Sequence, residues 1–200
     1  MWALVESGSI TKFINSPKGL VIGDVRYSKK IFQLWSKSEL EAKGIYEVEM
    51  DNSKKKDEQW YVNTNITYAF GSGKVTGSYG DATAKAHADT LFTAQDETDG
   101  LGTEGEVKDR GLKYNLIRTV KKEAAQILQD TDWYITRKAD AGTAVPSSIT
   151  THRAAVRTKS GEMETAINNA ADVDALAALY VYNNANPPVR PLGEFPVLEN

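Results

Sequence analysis

Side chains able to do chemistry gather in one stretch, Ile127 to Gly142, "ILQDTDWYITRKADAG": the carboxylate of Asp132, the indole of Trp133 and the guanidinium of Arg137. Two more arginines, Arg153 and Arg157, follow at a spacing that puts both on one face of a helix. A carboxylate beside arginines suits a glycosidase or a phosphotransferase. Glycoside hydrolysis needs a second carboxylate in a defined environment, and the pattern assigns none. The simpler reading is a packed joint between helices. Asp132 then pairs with Arg137, or with Arg153 and Arg157, while Trp133 and Tyr134 pack over the place where the long helix ends. Full burial of that indole predicts a cost of about 3–5 kcal/mol for Trp133→Ala.

The rest of the inventory excludes more chemistry than it offers. The 200 residues hold no cysteine, hence no disulfide framework, thiolate nucleophile or cysteine-ligated zinc. His87 and His152 are the two histidines, too few for a histidine-rich metal site, so no metal or other cofactor is expected. The net charge of −3 argues against a general nucleic-acid binder. The lysine run Lys54–Lys56 is flanked by Asp51, Asp57 and Glu58 and reads as a solvated loop. "TDGLGTEGE" lacks the register of a calcium loop. Asn65-Ile66-Thr67 fits a glycosylation pattern, but a strand is the plainer reading. The start, "MWALVESGSITKF", predicts no secretory leader, and no run approaches the ~20 apolar residues of a membrane span.

The elements that must position these residues point to an α+β chain: a β-rich N-terminal part with a β-hairpin, a helical C-terminal module and an extended proline-rich arm. Residues 1–50 read as a small α/β unit. "WALV" and "ITKFI" are strands about a Ser7-Gly8 turn, and "GLVIGDVRY" is a third, interrupted at Gly23-Asp24. In "FQLWSKSELEAKG", Ser36 and Glu39 form a capping box, Trp35 and Leu40 a hydrophobic staple, and Gly44 a left-handed stop. Residues 51–97 carry a hairpin, with Ile66, Tyr68 and Phe70 answered by Val75 and Tyr79 across Gly71-Ser72-Gly73, then a helix capped by Asp81 that holds His87. A lone helical histidine without an acid or nucleophile nearby reads as structural. The glycine-rich, acidic segment Thr98–Glu106 is the expected linker.

Residues 107–185 are the expected helical module. From Val107 to Asp130, Leu112, Leu116, Val120, Ala124 and Ile127/Leu128 recur every three or four residues, and the basic residues among them read as a solvated face. A second stripe, Ile149, His152, Val156, Met163, Ile167 and Ala170, follows Pro146, and Asp172 caps a third helix. Residues 186–200, with four prolines, form an arm that carries Leu192, Phe195 and Pro196. Two fates are open to it: docking on a neighbour as an extended segment, or folding back over its own helices.

The run "LQDTDWYITRKADAGTAVPSSITTHRAAVRTKSGEMETAI", ending in "RPLGEFP", resembles the C-terminal region of tail-associated proteins of tailed bacteriophages, of the tail-assembly chaperone type. The matching residues are Thr131, Asp132, Trp133, Pro146, Arg153, Arg157, Phe195 and Pro196. The stretch "GDVRYSKKIFQLWSKSELEAKGIYEV" is similar to the start of phage tail-fibre and fibre-associated proteins. Together these stretches imply a structural component of a virion at or near the tail or fibre attachment, made in the host bacterial cytoplasm. It would have tail or neck proteins as partners and would act as a homo-oligomer or within a symmetric assembly, with no membrane span and no specific nucleic acid. A non-virion tail or tail-fibre assembly chaperone is the alternative. A tail-carried hydrolase is a third, for which no nucleophile, base and orienting group can be named, so the expected catalytic set is empty.

Overall fold

The structure, a computed structural model, describes residues 1–198; Glu199 and Asn200, the last two of the expected arm, lie outside the described residues. The chain is α+β, with a β-rich N-terminal half and a helical C-terminal part. It forms two compact units, Met1–Thr83 and the chain from Ala84 onward.

In the first unit, strands β1 (Trp2–Glu6) and β2 (Ser9–Ile14) turn at Ser7-Gly8, both at positive φ. Strands β3 (Leu20–Ile22) and β4 (Val25–Tyr27) pair about Gly23-Asp24. Two short helices, α1 (Ile31–Leu34) and α2 (Lys37–Glu41), precede β5 (Ile45–Asp51). Strand β6 is Tyr61–Val62, and β7 (Thr67–Gly71) and β8 (Lys74–Ser78) make the expected hairpin, turning at Ser72-Gly73 with φ of 51° and 73°. The main sheet runs β2-β1-β5-β8-β7, antiparallel except for β5 against β8.

The sequence "WALV" does not alternate because both faces of β1 are covered. Leu4 packs with Ile14, Leu20, Ile31, Leu40 and Ile45, while Ala3 and Val5 turn to the other face with Val75. The α2 capping box forms as expected: Ser36 N–H donates to Glu39 Oε2 at 2.7 Å, and Glu39 N–H donates to Ser36 Oγ at 3.3 Å. Trp35 packs against the same core as Leu40. Gly44 stands at φ +76° with its Cβ position 2.4 Å from Val5 O, so close approach as well as handedness demands glycine there.

The second unit corrects three expectations. The helix expected over "ATAKAHADTLFTAQDE" does not form: Thr83–Ala84 (β9) and Thr90–Leu91 (β10) are short strands, and α3 spans only Ala94–Thr98. Asp81 pairs with Lys54 at 2.9 Å instead of capping a helix. The alanine-rich segment is used elsewhere. The carbonyls of Ala86 and His87 accept from the backbone N–H groups of Leu112 and Lys113, and Asp89 Oδ1 accepts from Gly111 N–H at 2.8 Å. These are orphan donors at the start of the long helix that opens at Leu112, and satisfying them overrides helix propensity in 86–89.

The segment Thr98–Glu106, expected as the linker, lies inside this unit. Strand β11 (Val107–Asp109) pairs antiparallel with β10, so the long helix begins not at Val107 but as α4, Leu112–Gln129. Phe92 N–H donates to Glu106 O and Gly105 N–H to Phe92 O, which ties the glycine-rich segment down. Thr93 caps α3 in a capping box with Asp96, whose carboxylate accepts from Thr93 N–H at 2.9 Å and takes Lys108 Nζ at 2.7 Å.

Four helices rather than three complete the unit: α4, α5 (Asp132–Ala141), α6 (Ser147–Asn169) and α7 (Val173–Ala178). Helix α5 buries no residue and so shows no apolar stripe in the sequence. Helices α4 and α6 run antiparallel, with Lys113 Nζ donating to Asn168 O at 2.8 Å and Lys121 pairing with Glu164 at 3.2 Å. The α6 stripe Ile149, His152, Val156, Met163 and Ile167 is buried as expected, and Asp172 caps α7.

Two tests follow from this packing. Gly44→Ala should cost more than the 1–2 kcal/mol of a left-handed alanine, whereas Gly73→Ala, with open space around it, should cost about that amount alone. Urea midpoints of the two variants check the order. The hydrogen bond from Lys108, then those from Thr93, lower the Asp96 pKa from 3.8 to about 2. The folded chain therefore gains from the Asp96 anion above its ordinary pKa and loses that gain as pH falls through the lowered value. A carboxyl NMR titration should give a midpoint near 2 rather than 3.8.

Candidate interaction site at the α4–α5 joint

Arg153 sits on α6 one turn after His152's stripe begins, and it is only 7% exposed. A buried guanidinium must find acceptors. Its Nη1 donates to Leu128 O at 2.7 Å and to Thr131 Oγ1 at 2.6 Å, and its Nη2 lies 2.8 Å from Asp132 Oδ1. Thr131 Oγ1 donates in turn to Leu128 O at 2.9 Å. The Leu128 carbonyl near the end of α4 is thus tied to α6, and the start of α5 is held to the same cation.

The structure therefore brings together Asp132 and Arg153 from the expected set, with Thr131 between them. It chooses Arg153, not Arg137, as the partner of Asp132. Arg157 is exposed and reaches only Arg153 O, at 3.5 Å. Arg137 stacks over the Trp133 ring, 5.2 Å from its centroid.

Trp133 corrects the packed-joint expectation. It is 59% exposed and meets Tyr134 edge-on at 5.1 Å. The reason is α5 itself: once Asp132 opens a helix, Trp133 points away from the side on which Asp132 meets α6. The joint is held by polar groups, and the indole stands outside it. The residues that sequence reasoning missed are Thr131, as a buried acceptor, and Leu128, through its carbonyl. A threonine just before an acidic residue at a helix start is the signal for the first; a carbonyl leaves no signal in side-chain pattern.

Of the two fates open to the arm, the structure takes the second: it lies against its own helices. Leu192 is buried, its N–H donating to Leu179 O at 3.0 Å, and Asn183 N–H donates to Val189 O. Arg190 pairs with Glu194 at 2.7 Å and lies over the rings of Tyr180 and Tyr182. Phe195 and Pro196 line a cleft of about 350 Å³ with Ile127, Thr131 and His152. The terminal aromatic-proline pair thus comes to the joint that Thr131 and Arg153 build.

Among the described residues no group of His, Asp and Glu could hold a metal, and no helix is long and apolar enough to cross a membrane. The chain matches no family model, and no curated protein or solved structure matches it.

Denaturation of single variants tests this assignment. Arg153→Ala should lower stability by about 1.5–3 kcal/mol, because it removes the charge-assisted hydrogen bonds that tie α6 to Leu128 O and Thr131 Oγ1. Asp132→Asn should cost under about 1 kcal/mol, since the carboxylate is 57% exposed and its pairing screened. Trp133→Ala should also stay under about 1 kcal/mol.

Proposed function

We propose that this chain is a structural component of a bacteriophage virion, at or near the tail or fibre attachment, and that it acts through protein–protein contacts. The observation that carries the contact role is α5. This helix buries nothing within its own unit, yet it holds Trp133 and Ile135 out to solvent at 59% and 43% exposure. Tryptophan and arginine are the residue types that anchor interfaces, and here Arg137 braces the indole. The phage assignment rests on the resemblance of the Thr131-Asp132-Trp133 region and of the arm's Phe195-Pro196 to tail-associated proteins. Tail or neck proteins are then the partners, and a homo-oligomer or symmetric assembly the setting.

The alternative is a tail or tail-fibre assembly chaperone that leaves the finished particle. It draws on the same helical region, which resembles the assembly-chaperone type. Mass spectrometry of tailed particles purified from cells making this chain separates the two. The virion reading expects several copies per particle. Absence from particles that fail to assemble without the chain would favour the chaperone, and normal tails formed without it would contradict both.

A further inference from the structure

A second cleft, of about 390 Å³, lies beside Arg153 on the α5–α6 side, and the proposed contact role gives it no part. Its wall carries three cations, Lys138, Arg153 and Arg157. Among the described residues, the acid paired with any of them is Asp132, which pairs with Arg153. Lys138 and Arg157 form no ion pair among the described residues. The remaining wall includes Ile135, Ala144 and Val145, all apolar.

One further observation points to an anion. Arg153 Nε is buried without a hydrogen-bond partner, and it is the one such side-chain atom among the described residues. A buried guanidinium donor left unpaired is costly, so its environment favours added negative charge.

We propose that this cleft receives an acidic side chain of a partner protein, flanked by an apolar one. The carboxylate sits between Arg157 and Lys138, with Arg153 supplying charge from the wall, and the apolar neighbour rests on Ile135 and Val145. The apolar lining favours a protein segment over a free inorganic anion, which would gain nothing from it. The inference rests on the contact role above and names the chemistry of the contact.

The test uses the full chain and two blocked peptides, acetyl-Leu-Glu-Leu-amide and acetyl-Leu-Gln-Leu-amide, with inorganic phosphate as a third probe. Backbone amide NMR signals of Val145, Thr150 and Arg153 should shift saturably with the Glu peptide. The Gln peptide should bind about tenfold more weakly or less, the loss of one charge-assisted contact. Lys138→Gln/Arg157→Gln should abolish the Glu preference, while Lys122→Gln, an exposed cation on α4 outside the cleft, should keep it. No saturable shift, equal binding of the two peptides, or saturation by phosphate alone would each overturn the proposal. These measurements need no particle. A failed peptide titration therefore rejects the cleft assignment without touching the virion reading, and absence from particles does the reverse.

Discussion

The helical unit depends on a cation taken out of water. Arg153 is buried on α6, and a guanidinium in that position needs acceptors for its charge, which its Nη1 and Nη2 find. These acceptors are all at one place: the Leu128 carbonyl near the end of α4, the Thr131 hydroxyl and the Asp132 carboxylate. This requirement fixes where α4 stops, where α5 starts and how far α6 must slide along α4 to deliver the side chain. The far end of the same helix pair is set by Lys113 on Asn168 O. Between these polar ends the apolar stripes of α4 and α6 supply area but no register, because leucine, valine and methionine side chains accept many alignments.

Geometry at the joint also explains what it leaves outside. Because polar groups hold α5 at its root, the helix has no need to bury a face, and Trp133 and Ile135 remain in solvent. The same arrangement leaves the cationic cleft beside Arg153 and the cleft lined by Phe195 and Pro196 near His152. The arm is thus part of the unit's own covering, anchored by buried Leu192. In the proposed contact role it is α5 and its surroundings, rather than a free tail, that would meet other proteins.

Much of this was legible in the residues. The capping box at Ser36 and Glu39, the left-handed Gly44, the hairpin across Ser72-Gly73 and the α6 stripe each rest on a local rule, and each stands in the structure. Local rules failed where the chain serves a distant partner. Residues 86–89 look helical, but their carbonyls cap α4, some two dozen residues away in sequence. Trp133 looks like core, but whether an indole is buried depends on the direction of a helix that shows no stripe. Of the candidate site, the pairing of Asp132 with an arginine was readable. Which arginine was not, because Arg137 and Arg153 both satisfy charge and only the α4–α6 alignment distinguishes them.

The claim that Arg153 sets the joint is tested most directly by a double-mutant cycle with Thr131→Val and Arg153→Met, both chosen to keep side-chain bulk. If the guanidinium and the hydroxyl act as one unit, the two losses of stability are not additive, and the coupling energy is about 1 kcal/mol or more. Additivity within roughly 0.3 kcal/mol would show that the two residues act independently and that the joint is held by something else.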